Sequence, residues 1–304
     1  MKPNPFSESL LPYYFILLIS LGTSNNQVND FFEKTKWIHG SPNCAENTDP
    51  VIQVERYDAS TWILRQNKCV HYEAPFIFLF LGEKKALVVD TGAPAEENKF
   101  PLYTTVRKII SDWEKENNTS LEVVVAHTHN HGDHRAADPQ FEGKTKTTLV
   151  GLAPEDVIRF FHLQNWPNET ANFDLGNRTI EIIPIPGHEP ASIALYDTST
   201  KFLLTGDTFY PGRLYVRDWM AFKNSIQRLT DFAAHHRISF ILGNHIEMTN
   251  TPGKDYRVGT TYQPDEHSLA LTIPDLQKLN DSLNTLGNTP VLKVYERYIV
   301  YPTK

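Results

Sequence analysis

The segment Thr128-His129-Asn130-His131-Gly132-Asp133-His134 constrains this chain more than any other. It directly follows the apolar, β-branched run Leu121 to Ala126. Such a run, ending in a polar stretch with glycine, reads as a buried strand that delivers a loop. A fold that contains it must hold several imidazoles and a carboxylate where a rigid sheet edge meets a cleft. Imidazole and carboxylate suit zinc and related divalent ions, and a cluster of them has few structural uses. Taken alone, the segment also fits a His-rich surface loop.

One segment cannot close a catalytic metal site, so partners are sought at other strand ends. Ile182 to His188 places a His after a Pro/Gly turn, and Ile238 to His245 ends in another. Ala86 to Gly92 and Lys201 to Asp207 set Asp90 and Asp207 just beyond apolar runs. Singly, His188 reads as a turn histidine and Asp207 as a turn or helix-cap carboxylate. His127 reads as a hydrogen-bonding neighbour of the motif, and His71, His162, His235, His236 and His267 have no motif around them.

The ordered set resembles the metallo-β-lactamase superfamily. Its members carry Asp-Thr-Gly, then His-x-His-x-Asp-His, then Gly-His, Gly-Asp and a last His. Here these are Asp90, His129/His131/Asp133/His134, His188, Asp207 and His245, spread over Phe76 to His245. The resemblance implies that His129, His131 and His188 hold one metal ion and that Asp133, His134 and His245 hold a second. Asp207 would bridge the two, and Asp90 would brace the metal-carrying loop without ligating. The same resemblance implies two Zn2+ ions, a metal-bridging hydroxide, and Asp133 as the catalytic residue that orients it or relays its proton. The ligand types alone leave iron and manganese open.

The activity so implied is dinuclear zinc-dependent hydrolysis of a small carboxylic acid derivative: a lactone, thioester, ester or lactam. Many lactamases carry Cys in the second metal site. This chain has Asp207, the pattern of glyoxalase II-like thioesterases, lactonases and phosphodiesterases. That departure points away from a typical antibiotic-degrading member. A phosphodiesterase on the same core and a non-catalytic metal-binding member are the alternatives. The formal charge of −7 at pH 7, with no long basic run, argues against nucleic acid as substrate.

With 304 residues, 40% of them hydrophobic, the chain can bury one large core, expected over residues 25–304. Lys2 precedes an apolar stretch, Leu10 to Leu21, with small residues at Ser20, Gly22 and Ser24. That pattern predicts a secretory leader over residues 1–24, an exported protein (periplasmic or secreted), and no transmembrane span in the mature chain. The two cysteines, Cys44 and Cys69, allow one disulfide in an oxidising compartment.

Strands are expected at Val51–Arg56, Thr61–Arg65, Pro75–Leu81, Lys85–Val89, Leu121–Ala126, Thr179–Pro184, Ser192–Tyr196, Lys201–Thr205 and Ile238–Leu242. Helices are expected at Lys99–Asn117, Pro154–Leu163, Trp219–His235 and Pro274–Leu286, the first with an apolar stripe of Leu102, Val106, Ile109, Ile110 and Trp113. Strands followed by helices in both halves predict the α+β class, two sheets face to face with helices outside. This is the four-layer αββα sandwich that the resemblance also implies, with the metals at one edge. The long stretch Thr249 to His267 reads equally as a substrate-facing lid or as an ordinary connection to the next helix, and Tyr210 and Tyr215 read as packing at the sheet edge or as donors to an oxyanion.

Overall fold

In Phe76-Ile77-Phe78-Leu79-Phe80-Leu81 every side chain is apolar, which suits a strand covered on both faces. The structure, a computed structural model, describes residues 30–303, and all six of these side chains are buried in it. The expected leader lies outside the described residues.

The described residues begin with the short helix α1 (Phe31–Lys34) and then build a six-stranded sheet in sequence order. Its strands are β1 (Ile52–Arg56), β2 (Thr61–Gln66), β3 (Phe76–Leu81), β4 (Lys85–Val89), β5 (Glu122–Ala126) and β6 (Thr147–Leu149). Helix α2 (Leu102–Asn117) carries the chain from β4 to its parallel neighbour β5, and β6 also runs parallel to β5. Helices α3 (Gly132–Arg135) and α4 (Pro154–Phe161) follow.

The second half repeats the plan with β7 (Ala171–Asp174), β8 (Thr179–Pro184), β9 (Ile193–Asp197) and β10 (Phe202–Gly206). After β11 (Arg213–Val216), helix α5 (Trp219–His235) crosses to β12 (Phe240–Gly243), which pairs parallel with β10. Strand β13 (Ala270–Leu271) completes a second six-stranded sheet, ordered β13-β12-β10-β9-β8-β7. Helix α6 (Ile273–Leu286) packs beside α5, and β14 (Lys293–Val294) and β15 (Ile299–Pro302) join β11 in a small third sheet.

Alternation along each strand sorts the core into three layers. Phe76, Phe78, Phe80, Leu87 and Val89 meet Ile180, Ile182, Ile193, Leu195 and Leu204 between the two sheets. Ile77, Leu79, Ala86 and Val88 turn the other way, onto Leu102, Val106 and Ile110 of α2. Ile183, Ala194, Leu203 and Ile241 likewise face Phe222, Ile226 and Leu229 of α5 and Leu276 and Leu279 of α6. The result is the αββα sandwich. Because both parallel crossovers enter from outside, β4, β5, β10 and β12 all present their C-terminal ends at one edge.

Arg178 ties the halves together. Just before β8, it gives Nε and Nη2 to the two carboxylate oxygens of Asp197 at the end of β9, at 2.9 and 2.6 Å. Its remaining bonds cross to the first sheet, reaching Ser60 O at 2.8 Å, Leu81 O at 3.2 Å and Thr61 Oγ1 at 2.7 Å. Every partner a buried guanidinium needs is thus supplied. The Cys44–Cys69 disulfide, with Cα atoms 5.2 Å apart, fastens the arm after α1 to the loop between β2 and β3.

Two departures from expectation bear on the surroundings of the site. Helix α2 starts at Leu102 and not at Lys99, because Pro101 stands at its N-cap with ψ 60, outside the helical region. No residue of the stretch Thr249 to His267, a candidate lid, lines the cavity at the His/Asp edge. The stretch is pinned to the arm by the bridge Gly40↔Tyr262 and by Gln263 N donating to His39 O at 2.9 Å.

Burial works to raise the Asp197 carboxyl, but its bonds to Arg178 and Thr200 outweigh it and hold it below the ordinary carboxylate range. The stabilisation it brings is therefore complete above the usual carboxylate pKa and is lost as pH falls through the lowered folded value. Asp197→Asn is expected to cost about 3–5 kcal/mol in urea unfolding at neutral pH, because it leaves a buried cation without its counter-charge. Breaking the disulfide with Cys44→Ser is expected to cost about 3.5 kcal/mol, the loop-closure value for a separation of 25 residues, in the same measurement.

Candidate metal centre

The edge of the sandwich is organised around Asp90, the first residue after β4. It is fully buried and has φ 68, in the left-handed region that Asp tolerates better than most side chains. Its Oδ1 accepts from Thr128 N at 2.8 Å, while Oδ2 accepts from Thr128 Oγ1 at 2.9 Å and Asn244 Nδ2 at 2.7 Å. Oδ2 also lies 3.1 Å from His134 Nδ1. One carboxylate therefore fixes the loop after β5, the N-terminal end of α3 and the loop after β12.

Two glycines let the strand ends crowd together. Gly206, at φ 53, lies where a Cβ would come within 2.8 Å of the Thr128 side chain, so only glycine lets Asp207 sit this close to the β5 loop. Gly187, at φ 141, lies where a Cβ would meet the backbone of Phe222 at 2.4 Å, so α5 can close onto the turn carrying His188.

The polar atoms delivered to this edge fall into two groups. His129 Nε2, His131 Nδ1 and His188 Nε2 are 3.0, 3.1 and 3.3 Å apart pairwise. Asp133 Oδ2, His134 Nε2 and His245 Nε2 are 3.2, 3.2 and 3.3 Å apart. Asp207 stands between them. Its Oδ1 is 3.5 and 3.4 Å from His134 and His245, and its Oδ2 is 3.9 and 3.8 Å from His129 and His188.

These spacings match a metal's demands. Two nitrogens held by one tetrahedral ion at the usual zinc–nitrogen distance lie about 3.3 Å apart. Asp207 Oδ1 is also buried without a hydrogen-bond partner among the described residues, a costly state that a cation relieves.

The ring nitrogens facing away are tied down. His188 Nδ1 lies 2.7 Å from Tyr215 O, His245 Nδ1 lies 3.0 Å from Glu73 O, and His134 Nδ1 faces Asp90. Each can donate outward and turn its Nε2 lone pair inward, the arrangement of a second shell behind metal-binding histidines. His127 points elsewhere, with Nε2 2.9 Å from Asp138 Oδ1.

The electrostatics divide the same way. Burial and the neighbouring histidines push His129 well below its ordinary value, and burial takes His188 down to about 4, so both stay neutral. Burial also opposes charge on His134 and His245, but Asp133 and Asp207 overcome it, lifting His134 well above normal and His245 to about 9. Burial would raise Asp133 and Asp207, yet the adjoining histidines hold both carboxyls well below the usual range. The second group is thus an acidic pair that draws positive charge to itself. A divalent cation supplies that charge directly.

The cluster forms one wall of a cavity of about 210 Å³. Glu73, Tyr210, Tyr215, Arg217 and Glu247 form much of the remainder. No motif marks Glu73, Arg217 or Glu247, and of the three only Glu247 stands beside a motif residue in the chain, two positions after His245. Tyr210 is spoken for: its hydroxyl lies 2.6 Å from Arg213 O and 3.0 Å from Glu247 Oε2. Burial and Glu247 push that phenol well above its ordinary value, so Tyr210 serves as a structural strut. Tyr215 accepts from Arg213 Nε at 3.1 Å and keeps its own proton.

A sandwich of this topology with two His/Asp groups at its edge defines a metal-binding hydrolase fold. The Metallo-beta-lactamase superfamily profile matches residues 73–275, and the chain belongs to that family. The protein is a hydrolase of this class. It is 25% identical over 223 residues to human acyl-coenzyme A thioesterase MBLAC2, covering 61% of this chain and 77% of the relative. It is also 25% identical over 155 residues to a hydroxyacylglutathione hydrolase of Rhizobium etli, covering 50% of this chain and 57% of that enzyme. Among solved structures, the DIM-1 metallo-beta-lactamase aligns at a TM-score of 0.50 and 14% identity, over 79% of this chain and all of that one. This last likeness concerns the fold. Among the described residues, no helix is long and apolar enough to cross a membrane.

Asp90→Asn is expected to lower zinc affinity by about 10- to 100-fold, the usual cost of losing a group that orients metal ligands. Competition with a chromogenic chelator would measure it. Unchanged affinity would mean that Asp90 only braces the fold.

Proposed function

We propose that this protein hydrolyses small thioesters with a pair of zinc ions held at the edge cluster. One observation carries the reading: Asp207 presents one carboxylate oxygen to each histidine group, so it is placed to serve two ions at once. His129, His131 and His188 would hold one ion, and Asp133, His134 and His245 the other. When bound, such ions supply an activated water and an electrophilic partner for the carbonyl oxygen.

The chain's own groups supply the rest. Asp133, kept anionic by His134 and His245, would accept a hydrogen bond from the attacking water and orient it as it gives up its proton. The new C–O bond forms, the C–S bond breaks, and the proton passes to the departing sulfur. Tyr215 lines the cavity with a hydroxyl proton that Arg213 does not use, so it is placed to donate to a substrate oxygen. Burial and Glu247 raise its pKa, which keeps it protonated. The thioester class is supported by the names of the relatives, a thioesterase and a hydroxyacylglutathione hydrolase, and by a carboxylate at position 207. An exported location belongs to the same proposal, supported by the Cys44–Cys69 disulfide.

The test begins with elemental analysis of the purified protein, where close to two zinc ions per chain are expected. Turnover of a thioester, a lactone, a cephalosporin and a phosphodiester is then compared. Thioester hydrolysis should lead, and Asp133→Asn should lower its kcat by roughly 100-fold or more. Phosphodiester turnover alone would overturn the substrate class. Folded protein that takes up no zinc would overturn the whole reading.

A further inference from the structure

The cluster cavity has a neighbour. His188 and Arg217 line both it and a second hollow of about 420 Å³. The walls of that hollow include Pro154, Trp166, Pro186, Pro190 and Ala221, an apolar surface in which the prolines lose no side-chain freedom when a ligand docks.

Its acids are already engaged. Asp218 Oδ1 accepts from Ala221 N at 2.9 Å as the N-cap of α5, and Glu189 Oε2 accepts from Ala191 N at 2.8 Å. Arg217 differs from both. Its backbone is anchored, since Gly187 O accepts from Arg217 N at 3.0 Å and from Asp218 N at 2.9 Å. Its guanidinium, however, makes no ion pair or side-chain hydrogen bond among the described residues.

Arg213, the other arginine on this side of the cluster, is saturated by Glu247, Asp255, Tyr215 and Tyr256 O. Around the cluster cavity stand the carboxylates of Glu73, Asp133, Asp207 and Glu247. Glu247 is paired with Arg213, so a negative group on a substrate would be repelled by Glu73 and drawn to Arg217.

We propose that Arg217 is a specificity-determining residue: it pairs with a carboxylate on a thioester whose apolar portion lies against Trp166 and the prolines. This assignment rests on the thioesterase reading above. The small cluster cavity sets the reach. An anion that touches Arg217 while the scissile carbonyl sits at the cluster lies within a few bonds of that carbonyl. The substrate class is thus a short thioester with a carboxylate close to the reacting bond, on either its acyl or its thiol half.

Three thioesters of matched length test it on the zinc-loaded protein: one with a terminal carboxylate on the acyl half, one with it on the thiol half, and one neutral. Arg217→Gln is expected to lower kcat/KM for one of the two carboxylate-bearing substrates by about tenfold, through KM. That is the lower end for a hydrogen bond to a charged group, because Arg217 is exposed. The neutral thioester should change less than about twofold, Arg217→Lys should restore part of the loss, and the difference should shrink with added salt. Which carboxylate substrate responds identifies the half that Arg217 reads. An equal change on all three, or on none, would overturn the assignment.

A binding arm keeps the two readings apart. If the wild type cleaves no thioester, the thioesterase reading fails by itself. Thermal-shift titration with succinate and butyrate then tests Arg217 directly. Tighter succinate binding that Arg217→Gln abolishes supports the site, and equal binding of both acids overturns it.

Discussion

The centre depends on a single buried carboxylate. Asp90 accepts from Thr128 and Asn244 and faces His134, and these groups come from loops of both sheets. A buried anion is tolerable only when its oxygens are met by donors, and here each donor belongs to an element that carries cluster residues. Thr128 precedes His129, and Asn244 precedes His245. Satisfying Asp90 therefore positions the cluster, and misplacing any one of these loops leaves the carboxylate short of a partner.

Outward from that point the molecule is layered by consequence. The sheets must pack face to face for Asn244 to reach Asp90, and Arg178 secures the same interface through Asp197, Ser60 and Thr61. The loop after β2 is held from outside by the disulfide at Cys69 and gives the Glu73 carbonyl to His245. Arm, loop and cluster are thus one mechanical chain. The charge balance follows the same geometry: neutral histidines on one side, an acidic pair with charge-seeking histidines on the other, and Asp207 between them.

Much of this was legible in the sequence, for definite reasons. Continuous apolar runs such as Phe76 to Leu81 mark strands buried on both faces, and the Leu102, Val106, Ile110 stripe marks a helix buried on one. The short strands were not legible. Ala171-Asn172-Phe173-Asp174 and Lys293-Val294 owe their extended form to a neighbour that pairs with them, and their own residues do not require it. The stretch Thr249 to His267 looked like a lid because long polar loops often are, yet it is tied to Gly40 and His39, over 200 positions away, and to Arg213 through Asp255.

The division has a physical basis. Sequence alone determined the chemistry available: which residues can ligate, which strands are buried, and that strand ends are where the His and Asp residues stand. These are local properties, written in residue type and period. Tertiary structure decided the rest: that Asp207 faces both histidine groups, that Tyr210 is committed to Glu247 while Tyr215 is not, and that Arg217, unpaired among the described residues, stands where two hollows meet. Each depends on distances between residues far apart in the chain, and only the packing of one sheet against the other sets those distances.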